Sequence, residues 1–183
     1  MAKIEEWIPI VKEVEGGYVN NPNDKGGETN MGITIGTWKQ AGHDTSTRIA
    51  VVKVGNKAYT NATKSLYEMT DEQWEAIAKP MYWDRWRADE INNQSIANLV
   101  VDWLWGSGIY GIKYPQQILG VNADGIVGAK TLAAVNDYPN QKELFKKLWE
   151  RRKQHFINLA KQPGQSIFLK GWLNRMNYFK FNN

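Results

Sequence analysis

Glu15, Asp24 and Thr29 stand nine and then five residues apart, around a glycine-rich stretch. Two acids and a hydroxyl at such spacing have the makings of a glycoside-cleaving set. Glu15 would protonate the leaving oxygen, and Asp24 would stabilise the developing oxocarbenium charge or help place water. The Thr29 hydroxyl could hold that water. Plainer readings stand beside these. Asp24 follows Pro22-Asn23, a turn-forming run, and Thr29 suits a strand. Glu28 is another acid within reach, but strand alternation sets it on the face opposite Thr29.

Glu15 has to be positioned by the segment before it. On a helix of about 100° per residue, Ile4, Trp7, Ile8, Val11 and Val14 fall on one face. Glu15 falls on that same face, whereas Glu5, Glu6, Lys12 and Glu13 fall elsewhere. An acid among apolar side chains at a helix C-terminus is pushed toward its protonated form by desolvation and by the helix dipole. A protonated carboxyl near neutral pH can act as a general acid. Alternatively, the helix stops at Gly16-Gly17 and Glu15 turns to water. Geometry read from sequence leaves both open. Beyond Glu15, the glycines at 26, 27 and 32 would let backbone approach a bulky sugar and take positive φ.

The 183 residues suit one sizeable domain or two small ones, with enough chain for a core. Composition is that of a folded chain, not a disordered one. Nine Trp and eight Tyr are many for this length, and rings of this kind fill cores or line sugar grooves. A formal net charge of +4 favours anionic partners without choosing among them. Without cysteine there is no thiol or disulfide chemistry, and with only His43 and His155 a histidine metal site is not expected. No cofactor is called for. The N-terminus lacks a signal-peptide core and no run reaches transmembrane length. The expectation is a chain made in the cytoplasm, without membrane insertion, that reaches its site of action by export or release.

After the N-terminal helix, short strands are expected near Tyr18-Val19 and Met31-Gly32-Ile33, then a short helix through Trp38. Residues 49–60 read as a β-hairpin turning on Gly55-Asn56. Thr70 and Gln73 form a capping box for a helix that Pro80 breaks or kinks. Ser95 is expected to cap a central helix, apolar on two faces through Ile96, Leu99, Val100, Val101, Trp103, Leu104 and Trp105, that ends at Gly106-Ser107-Gly108. A short helical turn over Tyr114–Leu119, a turn at Asn122–Gly125, a helix over Gly128–Val135, a long helix over 141–160 and a last one from Phe168 to Phe179 complete the chain. The fold class is α+β, predominantly α, with a small β element near the glycine-rich loop.

The run Glu15-Gly16-Gly17-Tyr18, Asn21-Pro22-Asn23-Asp24, Gly26-Gly27, Thr29 and Gly32-Ile33-Thr34 resembles the signature of glycoside hydrolase family 108. That family contains lysozyme-like N-acetylmuramidases, some called secretion activator proteins. The order Glu15, Asp24, Thr29 also resembles that of phage-type lysozymes, with one residue fewer ahead of the threonine. The second half is similar to the type 3 peptidoglycan-binding domain. Gln116-Gln117, Leu119-Gly120-Val121, Asp124-Gly125, Gly128, Thr131-Leu132 and Gly171-Trp172-Leu173-Asn174-Arg175 carry that likeness. Taken alone, Asp124 to Gly128 reads as a turn feeding a helix.

The resemblance implies a lysozyme-like fold with a catalytic part over residues 1–90 and a helical peptidoglycan-binding part over 91–183, packed as one compact unit. It implies cleavage of the β-1,4 bond between N-acetylmuramic acid and N-acetylglucosamine in the periplasm or cell wall. Glu15 would be the catalytic acid, with Asp24 and Thr29 in support, and Tyr18, Gly27, Tyr82 and Asp102 as substrate-binding candidates. Trp38 and Trp83 are further candidates for sugar stacking, core packing being the plainer reading. Asp102 is better suited to capping or to pairing with a basic residue. Two departures stand out. Trp105 occupies the place where the family shows Asn, and residues 43–65 have no evident counterpart. The expected partner is peptidoglycan and not nucleic acid, since the lysines and arginines of 142–153 read as a solvated helix face. A monomer is favoured. The competing reading is a non-catalytic or weakly catalytic peptidoglycan-binding accessory protein that aids secretion.

Overall fold

The computed structural model describes residues 1–20 and 27–182. Two compact units are seen, Val11–Ala78 and Met1–Ile10 with Lys79–Asn183.

The Val11–Ala78 unit begins within helix α1 (Ile8–Glu15), which ends at Gly16, whose φ of +67° only glycine adopts without strain. Strands β1 (Val19–Asn20), β2 (Glu28–Asn30) and β3 (Ile33–Thr34) form an antiparallel sheet in that order. Met31 and Gly32, expected as strand, are instead the two-residue turn joining β2 to β3, both at positive φ. Two residues of positive φ match the twist of a tight hairpin. Helix α2 (Ile35–Gln40) starts on the Thr34 hydroxyl, which accepts from the Thr37 N–H. The expected second hairpin is β4 (Arg48–Val54) with β5 (Lys57–Thr63), Val54 opposite Lys57. Gly55 takes positive φ at the first turn position, and that placement suits a two-residue turn. Helix α3 (Lys64–Tyr67) follows, then α4 (Asp71–Ala78). The Thr70–Gln73 capping box forms in both directions, at 2.9 and 3.3 Å. Side chains tie these pieces together. Asn30 donates to the Leu66 carbonyl, Trp38 to Ser65, and Trp74 to the Met31 carbonyl.

In the other unit, Ala2 donates to the Ile91 carbonyl and Lys3 exchanges two hydrogen bonds with the Gln94 side chain. Pro80 lies in a π-helical turn, Lys79–Trp83, ahead of which the regular α-helix has ended. Helix α5 (Gln94–Ser107) is buried from Ser95 to Leu104, the pattern of a helix packed on every side. Its cap is Asn93, not Ser95: Asn93 accepts from the Ile96 N–H at 3.1 Å. Both are good capping residues, and the extended backbone falls at Asn93. The short turn expected from Tyr114 is a full helix, α6 (Tyr110–Leu119). It starts three residues after α5 because Gly111 lets the two helices touch. A Cβ there would lie 2.3 Å from the Leu104 nitrogen. Helices α7 (Ala129–Asn136), α8 (Gln141–Leu159) and α9 (Leu169–Met176) complete the unit.

Asp102 is fully buried on α5. Arg152 of α8 reaches it at 2.7 Å, and Arg175 of α9 grips it at 2.6 and 2.9 Å. Burial alone would raise the Asp102 pKa, but the charges and hydrogen bonds of the two guanidiniums hold it below the usual carboxylate range. The sequence pattern of α8 does not reveal the burial of Arg152, which faces inward among Leu148 and Phe156.

Two outcomes follow. Gly111→Ala forces α6 off α5 and costs about 2–3 kcal/mol of stability, read by urea unfolding. Asp102→Asn leaves Arg152 buried without its counter-charge and costs about 3–5 kcal/mol. Because the folded Asp102 pKa is depressed, its contribution is present above the unfolded carboxylate pKa of about 4 and is lost as pH falls through the folded value. Asp102→Asn therefore shows a flatter stability curve in that acid range than the parent chain.

Candidate active site

Glu15 is the last residue of α1, half-buried, with exposed Gly16 and Gly17 after it. The helix is seated by Val11, which is fully buried, while Val14 is only half-covered. Glu15 thus lies at the edge of the apolar stripe, where a side chain meets both protein and water. Asp24, the second acid of the expected set, lies outside the described residues, as do Asn21 and Gly26. Thr29 is central in β2, opposite Val19 on one side and Thr34 on the other, and half-buried. Gly27, at φ +66°, precedes β2, and a Cβ there would meet Ile35 at 3.5 Å.

The alternation expected for Glu28 is found: Glu28 and Asn30 are buried and Thr29 between them is half-buried. What the sequence does not show is how much converges on Glu28. Tyr18 donates its hydroxyl at 2.9 Å and the Thr63 N–H donates at 2.7 Å. The Arg48 guanidinium closes an ion pair with the other oxygen, and also donates to the Thr63 hydroxyl at 2.7 Å. Burial raises the Glu28 pKa, but the donors from Thr63, Tyr18 and Arg48 outweigh it and hold the carboxyl below its ordinary value. The Tyr18 phenol moves the other way, raised by burial and by the Glu28 carboxylate it serves. Glu28 is therefore an ionised acceptor at neutral pH, unsuited to donating a proton. Tyr18 is buried, its ring edge-on to Tyr59 and Tyr67. The signal for this cluster was weak in the sequence because its members, Tyr18 before β1, Glu28 on β2, Arg48 on β4 and Thr63 on β5, share no motif.

The remaining expected site residues belong to the other unit. Asp102 has no exposed surface, and its oxygens are taken by the two arginines, so of the two plainer roles, capping or basic pairing, the pairing is found. Tyr82 is half-buried with its ring 4.6 Å from that of Trp105. Trp105 stands edge-on to Trp7, which lies 6.2 Å from Trp83. The tryptophan found where Asn was expected is thus one member of an aromatic cluster. Trp83 and Trp38 are fully buried core residues. Among the described residues no group of acids and histidines is arranged to hold a metal ion. No helix among them is long and apolar enough to cross a membrane.

Comparisons with known proteins agree with this architecture. The family profile described as glycosyl hydrolase 108 matches residues 8–108, from the start of α1 to the residue that caps α5. The profile described as a predicted peptidoglycan domain matches residues 110–177, from the start of α6 to just past α9. No curated protein matches the sequence. Among solved structures, SagA of Brucella abortus is similar at 27% identity with a TM-score of 0.72, over 96% of this chain and 90% of that one. The fold is lysozyme-like α+β, predominantly helical, and the chain acts on peptidoglycan. With more than half of its residues inside the first match, the chain belongs to the glycosyl hydrolase 108 family.

Proposed function

We propose that the chain is a muramidase. It hydrolyses the β-1,4 bond between N-acetylmuramic acid and N-acetylglucosamine, with Glu15 as general acid. The observation that carries this reading is the family match over residues 8–108, which takes in Glu15 and the glycine-rich sequence after it. Glu15 is half-buried at the end of α1, a place from which a carboxyl can reach a bound sugar. Asp24 stabilises the oxocarbenium charge or places water, and the Thr29 hydroxyl holds that water. Gly27 gives the backbone close access to the glycan, and Tyr82 offers a ring face to a sugar. Tyr18 and Asp102 serve indirectly, Tyr18 by holding Glu28 and Asp102 by holding the helices. The work is done in the periplasm or cell wall.

Two acids in neighbouring elements invite a direct comparison. Glu15→Gln keeps the shape and removes the transferable proton, and it lowers the clearing rate of a peptidoglycan suspension by about 10²–10⁴-fold. Clearing at the parent rate would overturn the assignment. Retained sedimentation with peptidoglycan, and no reducing sugar from the parent chain either, would leave a wall-binding accessory protein. Glu28→Gln acts on stability instead. Arg48 is 39% exposed and water screens part of the lost charge, so the cost is about 1–2 kcal/mol. Its melting temperature falls, and product mass spectra show the same new reducing end as for the parent.

A further inference from the structure

A groove of about 660 Å³ opens between α8 and the segment that follows α9. Its size is within the range of small-ligand sites. Phe145, Trp149, Met176, Phe179 and Phe181 make an apolar floor. The Trp149 ring is held by a hydrogen bond to the Met176 carbonyl at 3.2 Å, and the Phe145 and Phe181 rings stand 5.7 Å apart. The rim is cationic. Lys142, Lys146 and Lys180 line it and form no ion pair among the described residues. Glu143, an acid of the same rim, is already paired with Lys147 at 2.8 Å. Nothing on the family's glycan chemistry requires this feature, which lies on the helical unit and not on the unit with Glu15 and Thr29.

A complementary ligand needs small apolar groups for the floor and several carboxylates for the lysines. A bare glycan keeps a single lactyl carboxylate on each N-acetylmuramic acid, spaced along a polar chain, and so offers the lysines no cluster of charges beside an apolar run. The stem peptides of peptidoglycan have both, alanine methyls alternating with free carboxylates. We infer that this groove binds the stem peptides of peptidoglycan, anchoring the chain to the wall by the peptide while the glycan is left free. The inference rests on peptidoglycan as the partner, and not on Glu15 as the acid. Lysines around an aromatic floor favour an anionic, partly apolar chain because the charge gain is made at a rim that stays hydrated, while the methyl groups lose water against the rings.

The test is co-sedimentation with purified peptidoglycan, using the full chain carrying Glu15→Gln. Lys142→Glu with Lys146→Glu changes two exposed side chains and leaves the floor intact. It is expected to weaken binding about tenfold or more. Lys161→Glu with Lys170→Glu makes the same change in net charge at exposed positions outside the groove, and is expected to stay within about twofold. A soluble stem tetrapeptide displaces the chain, and peptidoglycan stripped of its peptides by an amidase binds it poorly. Equal loss in the two double variants, no displacement by free peptide, or full binding to stripped glycan would each overturn the inference. So would tighter, groove-dependent binding to phosphatidylglycerol vesicles, which would assign the groove to lipid. Clearing by Glu15→Gln at the parent rate would remove the general acid and leave this binding series to be judged on its own.

Discussion

One buried carboxylate organises the helical unit. Asp102 on α5 is met by arginines from α8 and α9, and none of the three helices can move without breaking a charged hydrogen bond in a dry interior. Two cations on one anion leave an excess of positive charge, and part of it is spread over rings: the Arg152 guanidinium lies 5.4 Å from Phe156 and 5.5 Å from Phe179. Such a knot contributes less to net stability than its geometry suggests, since three groups were taken out of water to form it. Its effect is on arrangement. It allows one register of α8 and α9 against α5, and so settles where Trp149, Met176 and Phe179 come together.

The smaller unit uses the same device at a wetter site. Glu28 collects a phenol from the residue just before β1, a guanidinium from β4 and a backbone N–H from β5, and thereby joins the three-stranded sheet to the β4–β5 hairpin. The consequence is a division between acids close together in sequence. Donors crowd around Glu28 and hold it ionised. Glu15 lies at a helix end, half-covered, before two exposed glycines. Environment, and not residue type, separates an ionised acid that frames a sheet from one left half-covered at a helix end.

Much of the fold was legible in order along the chain. Local rules sufficed wherever one short segment carries all the information: the Thr70–Gln73 box, the Gly55-Asn56 turn, the stop at Gly16, the apolar wrap of α5. The departures have local causes too. Ser95 and Asn93 are both competent caps, and the backbone chose the earlier one. Met31 and Gly32 read as strand by their apolar neighbours, but a two-residue connection left them no other conformation. Tyr110 starts α6 because Gly111 permits a contact with α5 that no pattern in α6 itself announces.

The sequence by itself determined the family, the helix that ends in Glu15, the turns at Gly16 and Gly55 and the amphipathic stripes, because each depends on neighbours within a few turns of chain. Only the tertiary structure decided which carboxylates are committed to structure. Asp102 lies 50 residues from Arg152 and 73 from Arg175, and Glu28 lies 20 from Arg48 and 35 from Thr63. Pairs so distant in sequence leave no periodic trace, and a buried arginine on an otherwise wet-looking helix reads as surface until its counter-charge arrives from another element.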